Sequence, residues 1–268
     1  MDLAGKTAVI IGGAGPGSGR ALSRRFAREG CRIVISDIDE EGGWALADSI
    51  RSEGGKAMFR LSDTSGLDSI RELFRVAERK FGGVDIMVHN ASAPYRPDGS
   101  LLHWIDTLKV DLLGALMATE VAIEAMERRG GGSIVLFSST SAIGHGYKPS
   151  ASAAYDIAKA GVVRLATMMA PLEERLNIRV NCIAPDWIAV PEVRAFWDPL
   201  TPEQRRMVGA PQRLTSVEEI AEAVVRLSTD ENLSGRVMVW WSDEEAGLIP
   251  ACDPGYHRLE PYPIRVAD

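Results

Sequence analysis

Short runs of β-branched and other apolar residues recur along the chain with long amphipathic stretches between them, and this alternation constrains the fold more than any other feature. The runs fall at 7–11, 32–36, 57–61, 84–88, 133–137, 179–183 and 237–241. Several, such as Thr7-Ala8-Val9-Ile10-Ile11, are apolar at consecutive positions. A strand of that kind needs cover on both faces, as parallel strands have. Helical periodicity fills 18–29, 40–53, 66–81, 100–128, 152–176 and 216–229. Strand, helix and strand repeated with right-handed crossovers predicts an α/β fold: a doubly wound parallel sheet of about seven strands with helices on both faces.

Nothing in the 268 residues divides the chain by a repeat or a low-complexity linker, so a single domain over 1–245 is expected. Two segments break the rhythm. Pro191, Pro199, Pro202 and Pro211 place short helical pieces and turns at 186–215, a lid over a pocket. Residues 246–268, with Pro250, Pro254, Pro261 and Pro263, read as an irregular tail. A formal charge of −7 without a basic cluster repels a phosphate backbone or an anionic membrane, which leaves a small molecule as the expected partner and excludes nucleic acid and lipid. No apolar stretch reaches the roughly 18 to 20 residues of a bilayer span, and Met1-Asp2-Leu3-Ala4-Gly5-Lys6 enters a strand with no charged-then-apolar leader. Cys31, Cys182 and Cys252 are far apart and read as reduced and structural, which with the rest points to the cytoplasm. No metal site is expected.

Chemistry concentrates in two places. Gly13, Gly17 and Gly19 of Gly13-Ala14-Gly15-Pro16-Gly17-Ser18-Gly19 lie between the first strand and the first helix. Glycine there lets the backbone turn tightly and approach a pyrophosphate at the helix N-terminus. Asp37 ends the second strand, eighteen residues after Gly19, where it can accept from both hydroxyls of an adenosine ribose or cap the next helix. Asp39, Glu40 and Glu41 follow, and this negative patch would repel a 2′-phosphate, so NAD is favoured over NADP. Asp63 and Thr64 after the third strand are open to an adenine contact or a capping role. The second place is Tyr155-Asp156-Ile157-Ala158-Lys159, whose i, i+4 spacing sets an ammonium beside a phenol on one helix face. A cation there stabilises the phenolate and makes tyrosine a usable acid.

Taken together, the glycine turn from Gly12 to Gly19, Asp37, Asp63, His89-Asn90-Ala91-Ser92, Asp111, Ser139, Tyr155 with Lys159, and Pro185-Asp186 resemble, in order, the motifs of the short-chain dehydrogenase/reductase family from about residue 4 to 240. The resemblance implies a Rossmann-like fold and assigns roles. Tyr155 exchanges a proton with the substrate oxygen, Lys159 tunes it and bonds the nicotinamide ribose, and Ser139 donates to the same oxygen. Ser139 is chosen over Ser138, Thr140 and Ser141 as the second of a serine pair. Gly13, Gly17, Ser18 and Gly19 take the phosphates, Asp37 and Ile38 the adenosine ribose, Asp63, Thr64, Asn90 and Ala91 the adenosine half, and Pro185 and Ile188 the carboxamide.

Departures stand beside these matches. Asp111 occupies the place of an asparagine that helps hold a proton-relay water; an ionised carboxylate cannot donate, and its charge opposes the effect of Lys159 on the phenol. It is read either as a relay residue or as a structural partner of Lys159. Gly12 replaces a threonine, His89 an asparagine, Ser92 a glycine, Asp186 a glycine and Val190 a threonine, and Ser242-Asp243-Glu244-Glu245 replaces an Asp-Gly-Gly ending. The expected activity is NAD(H)-dependent interconversion of a secondary alcohol and a ketone on a small or medium, moderately apolar substrate. A weakly catalytic, regulatory NAD-binding protein and a lyase or epimerase on the same fold are the alternatives. Ala93, Tyr95, His145, Tyr147, Trp187, Phe196 and Trp197 are candidate pocket residues. A homo-oligomer, dimer or tetramer, is implied, with Ala154, Ala158 and Gly161 permitting close helix approach across its interface.

Overall fold

The structure is a computed structural model that describes residues 1–94, 101–143 and 152–251. Tyr95, His145, Tyr147, Cys252 and the tail from 252 onward lie outside the described residues. Seven parallel strands form the sheet: β1 (Thr7–Ile11), β2 (Arg32–Asp37), β3 (Lys56–Leu61), β4 (Ile86–His89), β5 (Gly132–Phe137), β6 (Ile178–Pro185) and β7 (Val237–Trp240). An eighth, β8 (Gly247–Leu248), pairs antiparallel with β7, so the expected irregular tail begins as a sheet edge. The order is β3-β2-β1-β4-β5-β6-β7-β8. The direction of winding reverses between β1 and β4, which opens a crevice beyond their carboxyl ends.

Consecutive apolar residues have the expected cause. In β1, Ala8 and Ile10 join the core under α1 (Ser18–Arg28), α2 (Glu40–Ser52) and α10 (Val217–Thr229). Val9 and Ile11 join the opposite core under α3 (Leu67–Phe81), α5 (Ala115–Arg129) and α6 (Ala153–Met168). Phe26 on one side and Phe74 on the other are almost fully buried, each stabilising its layer by about 1.5–3 kcal/mol.

Three elements differ from expectation for local reasons. The helix expected over 152–176 stops at Met168 and resumes as α7 (Leu172–Leu176), because Pro171 lacks the N–H that a continuous helix needs. The long helix expected over 100–128 runs as α4 (Leu101–Thr107), a π-helical segment over Leu108–Gly114, and α5. Such wide turns insert a residue and re-aim side chains. The third difference concerns Ala154, Ala158 and Gly161. Both alanines are buried within the protomer, and a Cβ on Gly161 would lie 2.6 Å from Leu112 Cδ1. Gly161 lets α6 pack closely on the chain's own π-helical segment, a role that the sequence did not suggest.

Residues 186–215 carry α8 (Pro191–Trp197) and α9 (Pro202–Met207). Thr215 N donates to Trp187 O and Ala189 N to Thr215 O, joining the ends of this excursion. The remodelled ending grips the same place. Asp243 accepts from the backbone amides of Gln212 and Arg213, and buried Ser242 donates from Oγ to Trp187 O at 3.2 Å. Among the described residues no helix is long and apolar enough to cross a membrane.

Candidate active site

A cleft of about 950 Å³ lies beyond the carboxyl ends of β4, β5 and β6. Its lining includes Asn90, Ser139, Tyr155, Lys159, Pro185 and Ile188 from the expected site residues. β5 delivers Ser138 and Ser139, and α6 carries Tyr155 and Lys159 on one face. Lys159 Nζ lies 5.3 Å from the Tyr155 ring centroid, so the expected juxtaposition is present.

Lys159 is held from three directions. Its ammonium donates to Phe137 O at 3.2 Å and pairs with Asp111 Oδ1 at 2.9 Å, and its own carbonyl accepts from Ser138 Oγ at 2.8 Å. Burial opposes its charge, but Tyr155 and then Asp111 outweigh burial, and the Lys159 pKa is raised. Asp111 comes from the π-helical segment and is almost wholly buried. Besides Lys159 it accepts from Ser92 Oγ at 2.6 Å and from Ala93 N at 2.8 Å. An acceptor-only carboxylate thus meets donors at both oxygens, one of them a hydroxyl where the family has glycine. The departures at 92 and 111 are complementary. Of the two readings of Asp111, the ion pair with Lys159 is what the geometry contains.

His89 is a further departure with a structural role. It is buried at the end of β4, with Nε2 3.2 Å from Thr64 Oγ1. Burial, reinforced by the Lys159 charge, pushes its imidazole down to about 4. The fold therefore prefers neutral His89, and the unfolded chain, titrating near 6.5, binds more protons between those values. Its contribution to stability is whole above about pH 6.5 and lost as pH falls toward 4, a change on the order of 3 kcal/mol. His89→Asn should flatten this part of a profile of unfolding midpoint against pH; an unchanged slope would remove His89 as its source.

The other cofactor candidates lie outside the cleft lining, around the crevice. The glycine turn joins it through Asn90, whose Nδ2 donates to Gly12 O at 2.8 Å. Gly12 has φ +74°, and a Cβ there would lie 2.6 Å from Ala91 Cα, so this departure from threonine lets the two loops touch. A Cβ on Gly19 would fall 2.0 Å from Gly12 O, and one on Gly17 would fall 2.7 Å from Val190 Cγ1. Helix α1, starting at Ser18, has no side-chain cap and no acidic residue in its first turn, whereas Ser216 and Glu219 form a capping box on α10. A tight glycine turn leading into an uncapped helix N-terminus fits a pyrophosphate.

Asp37 does not cap α2; Asp39 does, through Gly42 N. Instead Asp37 accepts from Ala14 N at 2.9 Å and Asp39 N at 3.1 Å, tying the second strand to the glycine turn. Ile38 is exposed beside it. Asp63 accepts from Ser65 N and closes the turn before α3. Arg20 reaches Ala14 O at 3.5 Å, on the residue whose N–H donates to Asp37.

Among the candidate pocket residues, Ala93 and Trp187 line the cleft. Phe196 and Trp197 do not. Phe196 packs on Trp187 with centroids 5.9 Å apart, and Trp197 donates to Pro211 O under the guanidinium of Arg205. They build the excursion at 186–215 and its hold on Trp187. The sequence reading missed His103, Thr107, Ser152 and Trp241, which also line the cleft. His103 and Thr107 had a signal available: they sit two and one helical turns before Asp111.

Comparison with known proteins gives the family. Residues 6–199 match the family model for short chain dehydrogenases. A cis-4-hydroxycyclohexanecarboxylate dehydrogenase of Sinomonas cyclohexanicum is 32% identical over 255 residues, covering 92% of this chain and 95% of that protein. An L-rhamnose 1-dehydrogenase (NAD(P)(+)) of Azotobacter vinelandii is 33% identical, with 86% and 92% covered. The structure of a 7α-hydroxysteroid dehydrogenase complexed with NADH and 7-oxo glycochenodeoxycholic acid superposes with a TM-score of 0.79 at 29% identity, covering 90% of this chain and 94% of that one. The chain belongs to the short-chain dehydrogenase/reductase family of oxidoreductases.

Proposed function

We propose that the chain is an NAD(H)-dependent oxidoreductase that interconverts a secondary alcohol and a ketone on a small or medium, moderately apolar substrate. The observation that carries this reading is the meeting of Ser139, Tyr155 and Lys159 at one cleft whose rim bears Asn90, Pro185 and Ile188. Gly13, Gly17, Ser18 and Gly19 would hold the pyrophosphate, Asp37 with Ile38 the adenosine ribose, and Pro185 with Ile188 the carboxamide. When bound, NAD(H) accepts or supplies the hydride. Tyr155 takes the proton from the alcohol, or returns it to the ketone oxygen, at its phenolic oxygen. Ser139 donates a hydrogen bond to that oxygen and fixes the reacting carbon. Lys159, held by Asp111 and Phe137 O, keeps a positive charge beside the phenol. Residues 186–215 act as the lid that excludes water.

The test is oxidation of secondary alcohols with NAD⁺ and reduction of ketones with NADH. NADH binding without turnover of any of them would favour the regulatory reading, which Asp111 motivates. The relatives' names span a cyclohexanecarboxylate, a sugar and a steroid, so they select no single substrate.

The preference for NAD rests on Asp37 with Asp39, Glu40 and Glu41, whose charge opposes a 2′-phosphate. In Asp37→Ala, NADH affinity should fall about tenfold or more, the worth of hydrogen bonds to a charged group, while NADPH binds no worse than before. Fluorescence titration of both nucleotides measures this, and equal losses for the two would remove Asp37 as the discriminator. Cys31 and Cys182 are buried free thiols, which suits the cytoplasm. Ile105, Leu113, Leu116, Ile157 and Met168 are exposed on α4, the π-helical segment, α5 and α6, and supply the apolar face of the proposed dimer or tetramer.

A further inference from the structure

Ten buried side-chain polar atoms lack a hydrogen-bond partner among the described residues, and four of them belong to residues lining the cleft: Thr107 Oγ1, Ser141 Oγ, Ser152 Oγ and Asp156 Oδ1. Such atoms are uncommon in folded proteins because each loses its hydration without replacement. Their gathering around one cavity calls for a partner that arrives with the ligand. Thr107 is the clearest case, since the residue is 3% exposed. All four come from segments flanking the catalytic residues: the end of α4, the short 3-10 turn Thr140–Ala142 after Ser139, and the start of α6. Trp187, Ile188, Val190 and Val193, from the segment after β6, supply apolar surface to the same cleft.

Charge narrows the class further. Lys159 is the one lysine or arginine in the described lining, and Asp111 already pairs with it. Asp186 accepts from Thr140 Oγ1 and Ser242 N, while Asp156 has no ion pair among the described residues. A carboxylate or phosphate on the substrate would be desolvated against Asp156 and Asp186, and among the described residues of the lining no lysine or arginine other than the paired Lys159 could receive it. A hydroxyl meets the opposite situation: it donates to Asp156 and both donates to and accepts from threonine and serine.

Resting on the oxidoreductase reading above, we infer that the substrate is an uncharged molecule bearing several hydroxyl groups on an apolar ring or chain, of the alicyclic polyol or sugar class, and not an anion. Its hydroxyl edge faces Thr107, Ser141, Ser152 and Asp156; its C–H surface faces Trp187 and the valines.

The experiment compares kcat/KM with NAD⁺ for cyclohexanol, cyclohexane-1,2-diol, myo-inositol and 4-hydroxycyclohexanecarboxylate, and titrates myo-inositol calorimetrically into the protein. The diol or inositol should exceed cyclohexanol by about tenfold or more, and the carboxylate should fall below cyclohexanol. In Thr107→Val and in Asp156→Asn the polyol-to-cyclohexanol ratio should drop about tenfold, a quantity that a general loss of activity does not move. Asp156→Asn should also narrow the gap between cyclohexanol and the carboxylate. Turnover of cyclohexanol or the carboxylate above both polyols would overturn this class and leave the oxidoreductase reading standing. Inositol binding that Asp156→Asn weakens, with no turnover of any alcohol, would support the class and overturn the oxidoreductase reading. Absence of both turnover and inositol binding would overturn the two together.

Discussion

Tyr155→Phe is expected to lower kcat by about 10²–10⁴-fold, the range for loss of a positioned acid–base group, with little change in unfolding midpoint. The substitution removes one oxygen from a partly exposed ring and leaves the contact of that ring with Lys159 in place. NADH affinity should weaken by no more than about tenfold, the worth of one hydrogen bond. Because the proton and the hydride move in the same turnover, the loss should appear in both directions, alcohol oxidation and ketone reduction. Stopped-flow turnover and nucleotide fluorescence on the same preparation separate the two effects. A variant that retains wild-type kcat would take Tyr155 out of the chemistry.

Lys159→Met should destabilise the protein by about 3–5 kcal/mol as well as abolish turnover, because it strands a buried carboxylate. With the ammonium gone, Asp111 keeps, among the described residues, Ser92 Oγ and Ala93 N as donors at a position about 1% exposed. The informative comparison is the double variant Asp111→Asn/Lys159→Met, in which neither charge remains. It should recover most of the lost stability while turnover stays absent, since the cation beside Tyr155 is still missing. Denaturant unfolding of the two single variants and the double measures the coupling directly. If Lys159→Met unfolds at the wild-type midpoint, the pair is not the buried, mutually dependent unit described above.

Where the sequence was legible, a physical demand spanned several residues. Strands covered on both faces must be apolar at successive positions, and β1, β2 and β6 show it. Tyr155 and Lys159 were legible for the same reason, because a helix fixes what i and i+4 can share. What escaped depends on single contacts. The π-helical segment leaves no mark in the periodicity of Leu108, Leu112 and Leu116, yet it sets where Asp111 points. The match between Ser92 and Asp111 is formed by residues nineteen apart in different elements, and neither predicts the other. Pro171 was a readable break that the apolar pattern on either side concealed. Phe196 and Trp197 have the composition of pocket residues, but their edges are satisfied within the 186–215 segment. At β8 two residues carry too little pattern for any periodicity to register.

The grip of Ser242 and Asp243 on Trp187, Gln212 and Arg213 ties both ends of the 186–215 excursion to the segment that follows β7. If the 186–215 segment acts as the proposed lid, α8, α9 and Gly209, at φ +68°, are the parts of it that these bonds leave untied. Asp186, just after β6, accepts from Thr140 Oγ1 and Ser242 N, so Ser242 joins the lining of the cleft to the base of the excursion.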